Sequence, residues 1–418
     1  MKISDIRPEV YDMAAKAQER LAGRFAEIDR VAEINTRRVM EAFQNNRVAE
    51  ACFAGTTGYG YDDLGRETLD KIYAEIFGTE SALVRIGFVN GTHALTAAMF
   101  ALVKPGDTIV AVTGMPYDTL RSAIGISGDC HGSLKFYGIN YAQVDLAADG
   151  EPDYAAIAEA AAKPNVTAVM IQRSRGYDNR KALSVDEIGR ICETVKAVNP
   201  EINIMVDNCY GEFTDIKEPT HVGADIIAGS LIKNPGGGLA PTGGYVAGKK
   251  ELVERAAMRL TTPGIGGECG STLGNNRLLF QGLFMAPHIV AQALKTACFC
   301  AAMMEALSIP TSPTPEEPRS DIIQMVKLGS VENMKRFGLG IQAGAPVDSY
   351  VTPEPWEMPG YDCPVIMAAG AFIQGSSIEL SADGPAREPY TVYMQGGLTY
   401  ESGKLGIMMA VSAMLDRQ

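Results

Sequence analysis

The 418-residue sequence lacks an excess of basic residues, and that absence removes several classes of function. Its 37 Lys and Arg face 50 Asp and Glu for a formal charge of −13, so no basic stripe exists to neutralise nucleic-acid phosphates or an anionic membrane. Histidine is scarce, with four in all, and none stands at metal-ligand spacing from a cysteine. The eight cysteines (Cys52, Cys130, Cys192, Cys209, Cys269, Cys298, Cys300, Cys363) form no Cys-x-x-Cys pair and read as reduced, mostly buried thiols. No apolar run is expected to span a bilayer, and the start, Met1-Lys2-Ile3-Ser4-Asp5, lacks the apolar core of a signal peptide. Internal repeats and low-complexity tracts are missing too. These absences lead to the expectation of a cytoplasmic protein with a small-molecule substrate and neither nucleic acid nor membrane as partner. What is there is ordinary globular material, 46% hydrophobic and 21% charged, in a chain long enough for two domains.

Apolar residues recur at helical spacing over residues 5–44 (Val10, Ala14, Ala17, Leu21, Ile28, Val39), with one break near Gly23. This arm either folds back on its own domain or grips a partner subunit. Glycine and tyrosine then concentrate in Gly58-Tyr59-Gly60-Tyr61-Asp62-Asp63-Leu64-Gly65-Arg66, a loop ahead of a helix over 66–77. An ordinary turn accounts equally well for any one of these residues. A strand over 83–89 runs into Asn90-Gly91-Thr92-His93, where a helix start exposes unpaired backbone N–H groups on the positive end of its dipole, a ready anion site. Neither the P-loop pattern nor Gly-x-Gly-x-x-Gly occurs there.

Strands at 107–112, 134–137, 167–171, 202–206, 224–227 and 243–248 alternate with helices that open after Tyr117 and cover 154–162, 185–198 and 249–259. Such alternation implies a mostly parallel sheet covered on both faces. A long apolar helix over 275–307 follows, and Pro310-Thr311-Ser312-Pro313-Thr314-Pro315 marks a boundary. Beyond it, strands at 322–326, 365–370 and 377–380 with helices at 330–338 and 402–415 read as an α+β unit. The expected division is an arm and loop over 1–60, a large α/β domain over 61–307 and a small domain over 308–418.

Ligands of open α/β sheets gather at the carboxyl ends of the strands. That rule draws together Gly91 and Thr92, Tyr117, the segment Gln172-Arg173-Ser174-Arg175-Gly176-Tyr177, Asp207-Asn208-Cys209-Tyr210, and Ser230 with Lys233. Lys233, which precedes Asn234-Pro235-Gly236-Gly237-Gly238, can be desolvated into a nucleophilic amine that condenses with a carbonyl cofactor. Pyridoxal 5'-phosphate makes four demands on a protein: a lysine, an acid at the pyridine nitrogen, a phosphate cup and a stacking ring. Lys233, Asp207, the Gly91, Thr92 and Ser230 group, and Tyr117 meet them in turn. Arg387, after a strand, offers the two-pronged donor that suits a carboxylate, or else an ion pair with Glu388 or another acid. His93 either stacks over the cofactor or caps its helix, and Cys209 reads as a packed thiol.

These stretches, with Pro116-Tyr117-Asp118-Thr119-Leu120 and Gly384-Pro385-Ala386-Arg387-Glu388-Pro389-Tyr390, resemble the methionine gamma-lyase-like, or aluminium-resistance, family of fold-type-I pyridoxal-phosphate enzymes, also labelled cystathionine beta-lyase-like. The resemblance implies a mostly parallel seven-stranded sheet in a large α/β cofactor domain, a smaller α+β C-terminal domain, and a homotetramer built from active dimers. It further implies that Tyr59 or Tyr61, with Arg66, reaches the cofactor phosphate of a neighbouring subunit. The turn Asn90-Gly91-Thr92 departs from the Ser-Gly-Met turn of better-known gamma-lyases, and the arginine lies further from the inter-subunit tyrosine.

The expected function is a carbon–sulfur lyase acting on a sulfur amino acid by beta- or gamma-elimination. Lys233 is expected to remove the α proton, Asp207 to hold the ring proton, Arg387 to fix the substrate carboxylate, and Tyr117 to stack and to protonate the leaving sulfur. Rival readings are an aminotransferase or aldolase using the same cofactor, or a non-catalytic binding protein of the same fold.

Overall fold

The structure is a computed structural model and describes residues 1–128, 131–357 and 363–415; Cys130 lies outside the described residues. Helices α1 (Pro8–Arg20) and α2 (Ala22–Asn45) form the N-terminal arm. The break falls at Leu21 (φ −85°, ψ 0°) and not at Gly23, which sits inside α2. The arm folds back on its own chain: α2 packs on the long helix near the end of the first domain, and Asn35 Nδ2 donates to the Phe213 and Asp215 carbonyls at 3.2 and 2.9 Å.

Next come α3 (Leu64–Ile76), β1 (Ser81–Arg85), α4 (Gly91–Leu102), β2 (Thr108–Ala111), α5 (Asp118–Ile124), β3 (Asn140–Gln143), α6 (Tyr154–Ala161), β4 (Val166–Gln172), α7 (Val185–Val198), β5 (Asn203–Asp207), β6 (Ile226–Ser230), β7 (Gly244–Gly248), α8 (Lys250–Leu260) and α9 (Asn276–Glu305). The seven strands form one sheet in the order β1-β7-β6-β5-β4-β2-β3. Strand β7 runs antiparallel to both of its neighbours and the other pairings are parallel, so six strands share one direction. Alternate residues feed two cores. Ala168, Met170, Met205, Ile226 and Ala228 pack under α4 and α8 on one face. Val169, Ile171, Ile204, Val206 and Ile227 pack on the other face toward α7 and α9. Each fully buried Val or Ile contributes about 1.5–3 kcal/mol over its exposed state.

Local chemistry fixes the helix starts. Ser184 Oγ accepts from the Glu187 N–H at 3.2 Å while Glu187 Oε2 accepts from the Ser184 N–H at 2.6 Å, a capping box that opens α7. Asn90 Oδ1 accepts from the His93 N–H at 2.9 Å and opens α4.

After α9, strands β8 (Thr311–Ser312) and β9 (Ile323–Lys327), helix α10 (Val331–Ala343), strands β10 (Val365–Ala369), β11 (Ser381–Pro385) and β12 (Thr391–Gln395), and helix α11 (Tyr400–Leu415) complete the chain. Their sheet is antiparallel in the order β10-β11-β12-β9-β8, with α10 and α11 packed together beside it.

Three sequence expectations are corrected here. Residues 134–137 are not a strand: Lys135–Tyr137 is a short 3-10 turn closed by Gly138 at φ +77°, and the edge strand starts at Asn140. The strand expected at 377–380 begins instead at Ser381, and β12 was not foreseen. An apolar segment long enough to cross a membrane does exist, since α9 carries a window of mean hydropathy 1.3. Of that window 72% is buried inside the protein, so α9 is packed as a core helix.

Candidate active site

The parallel register sets three functional positions side by side at the carboxyl edge of the sheet. Gln172 ends β4 opposite Asp207, which ends β5 opposite Ala228 of β6. Past Ser230 the chain turns sharply: the Lys233 N–H bonds back to the Ser230 carbonyl at 3.3 Å, and the Gly236 N–H to the Lys233 carbonyl at 3.2 Å. A Cβ on Gly236 would lie 1.8 Å from the Leu231 carbonyl oxygen, so only glycine closes this turn.

The half-buried Lys233 places its Nζ 3.9 Å from the centre of the Tyr210 ring. Tyr210 sits in the left-handed region at φ +72°, and its hydroxyl is 3.0 Å from Ser377 Oγ in the second domain. Burial pulls the Lys233 amine toward neutrality, but Cys209, Tyr210 and Asp207 act against it and the net shift is upward. Its acidic neighbours thus favour the ammonium.

Asp207 is buried, and its Oδ1 accepts from the Cys209 N–H at 3.1 Å. Burial raises its carboxyl above the ordinary value, with the Lys233 charge working in the opposite sense. Such a carboxyl is a stronger base than an exposed aspartate and suits the retention of a proton on a partner nitrogen.

At the other end, Ser230 is 1% exposed, and its Oγ has no hydrogen-bond partner among the described residues. A Cβ on Gly91 would come 3.1 Å from Ser230 Cβ and 3.6 Å from Cys209 Sγ, so the start of α4 packs closely on β6. The orphaned hydroxyl and the N-terminal turn of α4 converge, as a phosphate cup requires. Thr92 Oγ1 lies 2.8 Å from Thr119 Oγ1, which ties the start of α4 to the start of α5 and so to Tyr117. The Tyr117 N–H donates to Gln172 Oε1 at 2.8 Å. The helix cap belongs to Asn90 and not to His93, whose Nδ1 accepts from the Val89 N–H at 3.3 Å with the ring edge-on to Phe88. Burial, with the Arg259 charge, lowers its pKa, so the imidazole is neutral.

Beside these residues opens a cavity of about 380 Å³ lined by Tyr117, Gln172, Arg175, Tyr177 and Arg387. The structure therefore brings Lys233, Asp207, Gly91, Thr92, Ser230, Tyr117 and Arg387 into one region. Tyr59, Tyr61 and Arg66 have other surroundings. Tyr59 and Tyr61 are 71% and 58% exposed and stack on each other at 5.6 Å. Arg66 is buried and donates to the carbonyls of Gly60, Gly270 (2.8 Å) and Glu268 (3.2 Å), which pins one loop to another within the chain. Tyr210, Gln172 and Tyr177 were named from sequence only within the segments gathered at the carboxyl edge, with no role given. The signal for all three was their place just after β4 or β5.

The residues present fit pyridoxal phosphate. Lys233 would hold its aldehyde carbon, Asp207 its ring nitrogen, and Gly91, Thr92 and Ser230 its phosphate. A large mixed seven-stranded sheet with such a carboxyl-edge site and a small antiparallel-sheet domain is the fold-type-I architecture of pyridoxal-phosphate-dependent proteins. Within that class the chain belongs to the methionine gamma-lyase family, whose model matches residues 10–415.

A crystal structure described as a carbon-sulfur lyase involved in aluminium resistance, from Clostridium novyi NT, is 52% identical with a TM-score of 0.94, covering 98% of this chain and 96% of that one. The uncharacterized protein YnbB of Bacillus subtilis is 47% identical over 406 residues, 97% of this chain and 96% of its own length. L-methionine gamma-lyase of Pseudomonas putida is 26% identical over 213 residues, 50% of this chain and 48% of the enzyme.

Proposed function

We propose that the protein is a pyridoxal-phosphate-dependent lyase that cleaves a carbon–sulfur bond of an amino acid by beta- or gamma-elimination. The observation that carries this reading is the convergence of the Lys233 amine, the buried Asp207 carboxyl and the orphaned Ser230 hydroxyl along one sheet edge. Family membership supports the lyase class, and the names of the relatives cited above are consistent with sulfur chemistry. When bound, the cofactor supplies an electron sink that makes the α proton of an amino acid acidic.

The chain's own residues supply the rest. The Lys233 amine, held over the Tyr210 ring, is the base that takes the α proton. Asp207 keeps a proton on the pyridine nitrogen, a task its burial favours. Gly91, Thr92 and Ser230 anchor the phosphate and so fix the height of the ring above the sheet. Arg387, on the wall of the cavity shared with Tyr117, pairs with the substrate carboxylate, while Tyr117 covers the ring.

Lys233→Ala is expected to abolish both the visible absorption of the lysine-bound cofactor and turnover; retention of both would sink the assignment. Product analysis with L-cystathionine, L-methionine and L-cysteine separates elimination, which releases a keto acid and ammonia, from transamination, which leaves the cofactor in its amine form.

A further inference from the structure

Behind the cavity wall lies a carboxylic acid that the account above does not use. Tyr177, in the loop after β4, lines the cavity with its ring 6.1 Å from that of Tyr117. Its hydroxyl donates to Oδ2 of Asp383 in β11. Asp383 is 6% exposed, and Gln395 Nε2 of β12 donates to its Oδ1 at 3.3 Å. The Tyr393 hydroxyl holds the Tyr177 carbonyl at 2.7 Å, so the phenol is fixed from both ends of its residue. The charged and titratable groups around the pair are Tyr393, on the strand beside Asp383, and Arg175, Asp178 and Arg387 toward the cavity. β10, on the other side of β11, faces Asp383 with Met367. Burial raises the Asp383 carboxyl to about 7, so it can carry a proton near neutrality.

We propose that Tyr177, backed by Asp383, is the acid that protonates the departing sulfur. This rests on the elimination reading given above. As the carbon–sulfur bond breaks, the sulfur keeps the bonding pair and takes the Tyr177 hydroxyl proton. For this the Tyr177–Asp383 bond reverses: the protonated Oδ2 of Asp383 donates to the phenol oxygen, freeing the phenol proton for the sulfur, then passes its own proton across and becomes a carboxylate, which solvent reprotonates before the next turnover. The sequence alone points to Tyr117 for this proton; the geometry points to Tyr177 because a buried acid stands at its hydroxyl. Tyr117 then serves to cover the cofactor ring.

The test compares two leaving groups. A thioether amino acid, L-cystathionine or L-methionine, expels a thiolate that needs a proton, whereas β-chloro-L-alanine expels chloride, which does not. Tyr177→Phe is expected to lower kcat on the thioether about 100-fold and on β-chloro-L-alanine by less than about threefold. Because Asp383 must be protonated to act, wild-type thioether turnover should fall as pH rises through about 7, and Asp383→Asn should lose that limb. Infrared spectra of the purified protein give a readout free of turnover: the protonated-carboxyl absorption that fades between pH 6 and 8 in the wild type should lose one carboxyl's share in Asp383→Asn, the remainder belonging to Glu212.

Equal slowing of both substrates by Tyr177→Phe, transfer of the leaving-group effect to Tyr117→Phe, or a carboxyl band unchanged in Asp383→Asn would each overturn the proposal. Should Asp383→Asn fail to fold, the Tyr177→Phe comparison still decides. A wild type that eliminates from neither compound overturns the elimination reading itself, and the proposal with it.

Discussion

Tyr210 shows how much of this site depends on one residue in an uncommon backbone state. A non-glycine residue at φ +72° costs about 1 kcal/mol or more, and here that conformation lays a ring under Lys233 and reaches Ser377 with its hydroxyl. Sequence could propose Lys233 and Asp207 because their chemistry is scarce and their places after strands are readable. It placed Tyr210 in the segment after β5 but gave it no role, because no pattern announces a left-handed tyrosine.

A second buried acid, Glu212, makes a separate prediction. Its Oε1 accepts from the Tyr245 hydroxyl at 2.8 Å, its Oε2 has no partner among the described residues, and burial raises it from 4.5 to about 8. A carboxyl raised on folding gives stability that is complete below its unfolded value near 4.5 and is lost as pH rises through about 8. Denaturant unfolding of Glu212→Gln, which keeps an acceptor for Tyr245, should therefore show a flatter decline between pH 5 and 8 than the wild type. Identical slopes would mean that Glu212 is already ionised across that range.

Among the elements, the glycine turn after Lys233 carries the tightest constraint. Gly237 lies at φ +52°, and a Cβ there would stand 2.3 Å from the Gly282 carbonyl of α9, so turn and helix touch backbone to backbone. Gly237→Ala should cost about 2–3 kcal/mol in denaturant unfolding, because both the positive φ and the clash oppose it. Gly23→Ala is the contrast: this position is inside α2 with nothing within 4 Å of the added Cβ, and the change should stabilise by about 0.5–1 kcal/mol.

The elements legible in sequence were those with strong periodicity or caps. Helix α7 was placed to the residue by its apolar spacing after Ser184, and β5 to within one residue by its continuous apolar run. Strand β3 escaped because its residues Asn140-Tyr141-Ala142-Gln143 are half-exposed at a sheet edge and show no apolar alternation. Strand β12 escaped because it follows a proline-bearing turn, and its pairing with β9 joins residues far apart in sequence. Arg66 shows another limit of sequence: a buried arginine serving three backbone carbonyls has the same local sequence as one serving a ligand.

For the whole molecule, the two sheets meet at the cavity that holds Tyr117 and Arg387, and Arg175 spans them by donating to the Ser312 carbonyl at 3.0 Å and its Oγ at 3.1 Å. The stacked, exposed Tyr59 and Tyr61 are apolar surface that a partner subunit would cover. We propose a homotetramer, as the family resemblance implies. Sedimentation should then give a mass near four times the 44.6 kDa chain, and Tyr59→Ala with Tyr61→Ala should lower it; a monomer in the wild type would count against this assembly.

Lys233 is the proposed anchor of the cofactor. Incubation of the purified protein with pyridoxal phosphate, reduction with borohydride to lock any lysine-bound cofactor in place, and peptide mass spectrometry test it directly. The account predicts one cofactor per chain, on the peptide that contains Lys233. Modification of another lysine in preference to Lys233, or none at all, would contradict it.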